Sequence, residues 1–464
     1  MRASSARLQG SSVLVAGIST AFGVGLLQIT GLLGAHIDAS GMARQGGAVA
    51  LMLQVLAWVF IVIAVYVGAV VTANTFATIV AGRARQIALL RLLGSTARHQ
   101  RGAIAREGLL AGTAGAVAGA VIGTLVAVVL EKVAETVGWF PSVDYGYLQP
   151  SLLLPVVAIV LTTWLASWVG SRRVLSVTPL QALGGSEELS REEAAHRPVR
   201  NRAALVLLII GFALLALGVV LGFLSPVAIM IGVVGGILSF TGLVLGADVI
   251  MPPALRLVGR WFGRSAAARL AAENALRHPQ RSSRATIGLV IGVTLITMFA
   301  VAITTFAAIV HGQQAGDPRQ WAQTNQLLDS IQAVFSVLIG FSALIAAVGL
   351  VNNLSLSVLQ RTRELGLLRA LGFSVRQLRR MILTESAQLT VTAVLLGLVL
   401  GTFYGWAGAQ SLMGSVTKSI AAPGVPWVIL AVIVGAGAVL TAIASFTPTR
   451  RATRVTPVVA LAVE

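Results

Sequence analysis

Ten stretches of this chain are apolar for long enough to cross a bilayer as helices, which takes about 20 residues: 11–34, 48–80, 108–130, 151–170, 203–223, 226–247, 286–310, 330–358, 386–409 and 426–447. Between them, polar residues come in short clusters dominated by arginine. The first stretch follows Arg2 and Arg7 as the core of a signal peptide would. It is longer than such a core and has a counterpart at 286–310, so it reads as a retained span. The pattern predicts an all-α integral membrane protein of about ten transmembrane helices.

Those helices repeat. Arg85-Gln-Ile-Ala-Leu-Leu-Arg-Leu-Leu-Gly94 returns 278 residues later as Arg363-Glu-Leu-Gly-Leu-Leu-Arg-Ala-Leu-Gly372, and Arg172-Arg-Val-Leu-Ser-Val-Thr-Pro179 returns at the same offset as Arg450-Arg-Ala-Thr-Arg-Val-Thr-Pro457. An internal repeat in so apolar a chain is the signature of a transporter built from two similar halves. The expected organisation is a first repeat over 1–183, a cytoplasmic linker over 184–202, two central transmembrane helices over 203–250, a cytoplasmic amphipathic segment over 251–284 and a second repeat over 285–464. Four spans plus two is even, so both four-helix repeats start from the same side and are parallel.

Composition agrees with a bilayer: 56% of residues are hydrophobic and 11% charged, against about a quarter charged in soluble domains. The formal charge of +18 would suggest nucleic acid in a soluble protein, but here it lies in short loops, as the positive-inside rule requires. No nucleic-acid partner is expected. With the N-terminus in the cytoplasm, only Arg44, Lys132, Arg319 and Lys418 fall outside, which puts both termini in the cytoplasm. Trp139, Trp321, Trp406 and Trp427 then sit near the outer boundary, and Trp168 and Trp261 near the inner one.

The chain has no cysteine, its two lysines lie outside any G-x-x-x-x-G-K-[ST] pattern, and its five histidines are scattered. No cofactor, metal centre or catalytic constellation is expected in this chain. If ATP drives it, another subunit binds the ATP and its magnesium.

The second span, 48–82, would be about 50 Å long as one helix and so projects into the cytoplasm, as does its copy. At the projecting end of the copy, Leu365, Leu368 and Leu371 recur at helical spacing, Gly372 supplies a stop, and Ser374-Val-Arg-Gln377 reads as a capping box opening a new helix. The result is a helix, a sharp break and a second helix: an elbow. On its second arm Arg376 and Arg379 share a face, as do Arg98 and Arg101 in the first copy. A basic elbow at the membrane surface suits docking on a cytoplasmic partner. Contact with lipid phosphates is the other reading of any single arginine.

The elbow, the Gly-rich span after it, and the tails Thr178-Pro179-Leu-Gln-Ala-Leu183 and Thr456-Pro457-Val-Val-Ala-Leu461 resemble the FtsX-like permease family of ABC transporters. The resemblance covers nearly all of the chain outside the central helices. It implies a multi-pass protein of the bacterial plasma membrane whose elbows rest on ABC ATPase subunits, two copies per complex. It assigns that coupling role to Arg361, Arg363, Glu364, Arg369, Gly372 and Arg376. Arg379 joins them, with Arg83, Arg85, Arg91, Gly94, Arg98 and Arg101 as the first-copy set.

Two departures qualify it. The first copy has Gln86 and Ala88 where the second has Glu364 and Gly366, so its elbow is expected to dock more weakly. Family members that export or release lipoproteins usually carry a large extracytoplasmic domain after the first span of a repeat, whereas only 35–47 and 311–329 are available here. Two functions fit: export or extraction of a lipophilic or peptide-like substrate, or ATP-driven mechanical regulation of a cell-envelope partner, such as a cell-wall hydrolase or a sensor kinase, reached through membrane or extracytoplasmic contacts. Membrane lipid is a partner in either.

Glu107 and Glu385, where the elbow meets the next span, read as salt-bridge or snorkelling residues, and Asn74, Asn352 and Asn353 as interhelical contacts. Gly112-Thr-Ala-Gly-Ala-Val-Ala-Gly119 and Gly397-Leu-Val-Leu-Gly401 give small-residue faces for close helix packing.

Overall fold

The computed structural model describes residues 2–39, 95–136, 145–147, 149–171, 198–262, 279–312 and 371–439, with interspersed residues in 55–92 and 325–347 and residue 273. Helices account for nearly all of these residues, and among them there is no strand. In order they are α1 (Arg2–Ala39), α2 (Ala97–Thr136), α3 (Leu153–Gly170), α4 (Pro198–Gly222), α5 (Ile229–Leu245), α6 (Ala247–Gly259), α7 (Pro279–Gly312) and α8 (Val375–Thr417), followed by α9 (Trp427–Val439). Seven are long and apolar enough to cross a membrane: α1 to α5, α7 and α8. A helix satisfies its own backbone polar groups, which hydrocarbon requires.

Those seven coincide with seven of the ten predicted spans, and α9 covers the first part of a further one. The spans predicted at 48–80 and 330–358 fall largely outside the described residues, and those described there are helical. The protein is a multi-pass, all-α membrane protein.

Glycine spacing decides how the first helices pack. Gly115, Gly119 and Gly123 recur every four residues on one face of α2, and that face lies directly on the backbone of α1. A Cβ on Gly115 would collide with Val13 O and Ala16 Cβ, one on Gly119 with Gly17 O and Thr20 Cβ, and one on Gly123 with Ala21 O. Without a hydrophobic drive between helices in lipid, this close approach is what holds them together. The second repeat builds the same ladder from Gly397, Gly401 and Gly405 of α8, set against Val293, Thr294, Thr297 and Met298 of α7. The small-residue faces expected from the sequence are therefore interhelical contacts.

α4 and α5 form a hairpin turned at Ser225, whose hydroxyl accepts from Val227 N at 3.3 Å ahead of Pro226. Gly211, Gly218, Gly235 and Gly242 let the two helices touch backbone to backbone. The hairpin lies against α8, with Gly222 on Ser411 and Tyr404 Oη 2.9 Å from Ser239 Oγ. α7 is the most enclosed helix, with Val290, Ala300 and Val301 fully buried. α2, α3 and α4 turn Val121, Leu125, Val157, Leu205 and Ile209 outward, as lipid-facing surfaces do.

The amphipathic element follows α5 directly. α6 starts at Ala247, directly after Gly246, and carries Pro252 and Pro253 within it. Its apolar face, Met251, Leu255 and Val258, is buried, and Arg256 and Arg260 lie at its end. Leu255 O accepts from Gln388 Nε2 of α8 at 3.0 Å, Ala247 O accepts from Ser283 Oγ of α7 at 3.1 Å, and Arg200 of α4 pairs with Asp248 at 2.8 Å. α6 is thus bonded to three membrane helices at the end of the molecule where α4, α7 and α8 begin.

Candidate coupling site

The second elbow is built from its break outward. Gly372 has φ 95°, in the left-handed region that glycine enters without steric penalty. Ser374 follows in an extended conformation and caps α8: its Oγ accepts from Gln377 N at 3.2 Å, and its own N–H donates to Gln377 Oε1 at 2.9 Å. The capping box read from the sequence is present with both bonds. From this cap α8 runs 43 residues to Thr417, about 65 Å at 1.5 Å per residue. The second arm of the elbow and the following span, expected as successive elements, are one continuous rod.

Arg376 and Arg380 are exposed at the start of that rod, and Arg379 is half-buried. Further along, the side chains turn inward: Glu385 and Gln388 are buried, with Gln388 bonded to α6 as above. The capped rod is therefore tied sideways to α6 through Gln388. Gln388 was not singled out in the sequence; the signal for it is an amide one helical turn from Glu385 at the edge of an apolar run.

The first elbow has the same plan with fewer bonds. Thr96 Oγ1 accepts from His99 N at 3.2 Å, and Ser95 Oγ accepts from Gln100 Nε2 at 2.8 Å. His99 stands where Gln377 stands in the second copy, and the reciprocal bond of the box is not made there. Arg98 is exposed. Arg101 instead lies over the indole of Trp168 on α3, its Cζ 4.5 Å from the ring centroid, a cation–π contact. Its Nε and Nη2 are buried without a hydrogen-bond partner. Trp168, expected as a boundary anchor, also fixes this arginine.

Of the expected coupling residues, the structure places Gly372, Arg376 and Arg379 together at the start of α8, and Arg98 and Arg101 at the start of α2. Arg361, Arg363, Glu364, Arg369, Arg83, Arg85, Arg91 and Gly94 lie outside the described residues. Among the described residues no group of His, Cys, Asp or Glu could hold a metal ion.

The FtsX-like permease C-terminal domain matches this chain twice, over residues 58–179 and 336–457. The chain belongs to the FtsX-like permease family. The two matched ranges are displaced by the 278 residues of the internal repeat, and each brackets one elbow. This FtsX-like permease is also similar to named relatives. It is 32% identical over 155 residues to the macrolide export ATP-binding/permease protein MacB of Nitrobacter winogradskyi, covering 32% of this chain and 21% of that one. It is 31% identical over 159 residues to the pyoverdine export ATP-binding/permease protein PvdT of Pseudomonas syringae pv. syringae, covering 33% and 23%. The ABC transporter permease YtrF of Bacillus subtilis is 34% identical over 59 residues, 13% of this chain and 14% of that one. The matched region spans less than a quarter of the length of each of these relatives.

Proposed function

We propose that this FtsX-like permease is the membrane subunit of an ABC-type exporter, moving a lipophilic or peptide-like substrate with energy from a separate ATPase that binds ATP and magnesium. The observation that carries the reading is the duplicated elbow: in each half a capped, basic helix end continues without interruption into a membrane-spanning rod, and each lies within a family match. One chain offers two such ends, which suits two ATPase subunits. ATP-driven closure of the ATPases presses on the helix ends at Ser374 and Thr96, and α8 and α2 carry the displacement through the membrane.

In this reading both termini and the basic elbow ends face the cytoplasm of a bacterial cell, where the ATPase resides. Export rather than uptake is supported by the relatives named as export permeases. The test is enzymatic. Purified alone, the chain should neither bind nor hydrolyse ATP; reconstituted with its ATPase, it should show vanadate-sensitive hydrolysis. Robust hydrolysis by the isolated chain would sink the assignment.

A further inference from the structure

Between α5, α7, α8 and the helical residues at 59–67 lies a cavity of about 150 Å³, partly open to its surroundings. It occupies the half of α8 remote from the elbow, around Tyr404 to Leu412. The described part of its wall is almost entirely hydrocarbon, and no Asp, Glu, Lys, Arg or His is among the described residues lining it. Glycine makes the room: a Cβ added to Gly236 of α5 or Gly408 of α8 would meet nothing within 4 Å, whereas the ladder glycines of the same α8 are pressed against backbone. These two glycines therefore border space rather than a neighbouring helix.

Most hydroxyls in the wall are occupied. Tyr66 Oη is 2.9 Å from Thr241 Oγ1, Tyr404 Oη bonds Ser239, and Ser411 Oγ donates to Ala407 O at 2.7 Å. Thr294 differs. It is 2% exposed, yet its Oγ1 has no hydrogen-bond partner. Thr286, Thr304 and Thr392 return their hydroxyls to a carbonyl one turn back, the usual resolution in an apolar helix; Thr297 shares the unpaired state but does not line the cavity. A buried hydroxyl left unpaired is unfavourable, and one lining a cavity points to a ligand with an oxygen to share.

We propose that this cavity binds an uncharged, largely hydrocarbon chain carrying a hydrogen-bonding oxygen, with Thr294 as its polar anchor. A charged peptide or headgroup would lose its hydration there with no counter-ion among the described residues of the wall. That the bound molecule is cargo rests on the exporter reading; that the site binds does not. The same chemistry is offered by a free lipophile or by one tail of a bilayer lipid, and the test separates them.

The full chain, reconstituted without any ATPase in phosphatidylcholine vesicles, is photolabelled either with a diazirine-bearing long-chain alcohol or with a phosphatidylcholine bearing the diazirine on one acyl chain, and the adducts are mapped by mass spectrometry. Adducts are expected on cavity residues such as Met298, Phe299 and Tyr404, falling at least tenfold in Gly236→Leu/Gly408→Leu. In Thr294→Val, alcohol labelling should fall several-fold. Labelling by the alcohol alone identifies a free lipophile, and labelling by both identifies a bilayer lipid's tail. Should the leucine pair fail to fold, Thr294→Val alone decides through its selective loss of alcohol adducts. Adducts spread over outward residues such as Leu125 and Val121, or unchanged in the variants, would overturn the proposal. Vanadate-sensitive hydrolysis with the ATPase is read separately, so failure of the site and failure of the exporter reading are distinguishable.

Discussion

The α1–α2 pair and the α7–α8 pair are copies of one another, but they sit in different registers. At the constant offset of the repeat, Gly397 is the counterpart of Gly119. In its contacts it takes the place of Gly115: Gly397 faces Val293 and Thr294 as Gly115 faces Ala16 and Gly17. The match continues, Gly401 meeting Thr294 O, Thr297 Cβ and Met298 N where Gly119 meets Gly17 O, Thr20 Cβ and Ala21 N. On α1 and α7 the buried Thr20 and Phe22 take the same places in these contacts as the buried Thr297 and Phe299, one residue short of the repeat's offset. The first ladder glycine is 19 residues beyond the capping Thr96 in one copy and 23 beyond Ser374 in the other. The second elbow therefore stands one helical turn, about 6 Å, further from its packing ladder. Duplication conserved the sequence spacing and not the seat of the helix.

The sharpest way to break this comparison uses alanines that the chain already tolerates. Ala127 and Ala393 are the sequence counterparts of Gly405 and Gly115, and both are fully buried. If the registers were equal, Gly405→Ala and Gly115→Ala would be harmless. Because they differ, both substitutions should press a methyl group into backbone and cost about 1–3 kcal/mol, read as a lower midpoint of thermal aggregation in detergent. Unchanged midpoints would mean that the pairs are seated alike.

Unequal elbows give the next effect. Charge reversal at Arg363 with Arg369 should reduce ATPase coupling by tenfold or more, as loss of one partner from a buried charge pair does at about 2–5 kcal/mol. The same change at Arg85 with Arg91 should cost less, since Gln86 stands where Glu364 stands. Normal coupling in both double variants would leave these arginines as topology signals alone.

The smallest effect is at the caps. Ser374→Ala should cost about 1 kcal/mol of local helix stability and Thr96→Ala somewhat less, while His99→Gln should complete the first copy's box and slow amide exchange in the first turn of α2. Faster exchange in His99→Gln would show that the two caps differ in more than this bond.

The sequence made the repeat, most of the spans, the break at Gly372 and the Ser374–Gln377 box readable, because each rests on local chemistry: a long apolar run, a glycine, a serine three residues ahead of a glutamine. The register difference was not readable. Small residues recur every four positions beyond the glycines as well, as Ala127 and Ala393 do, so the pattern alone does not single out one seat. α6 is helical although it carries Pro252 and Pro253, with Met251 and Leu255 buried. Arg101 was grouped with Arg98 by spacing alone; its contact with Trp168 joins residues of two helices, which no local pattern reports.

A ladder cut at four-residue intervals has a mechanical corollary. Two helices meshed through such teeth cannot glide, because any displacement of less than a full tooth drives the Cα of one ladder into the carbonyls of the other. Motion along the axis must come in steps, each of which brings a residue other than glycine, such as Ala127 or Ala393, towards a slot. The two halves of this protein rest in adjacent notches, so under the proposed coupling a stroke at one elbow would begin from a different tooth than a stroke at the other.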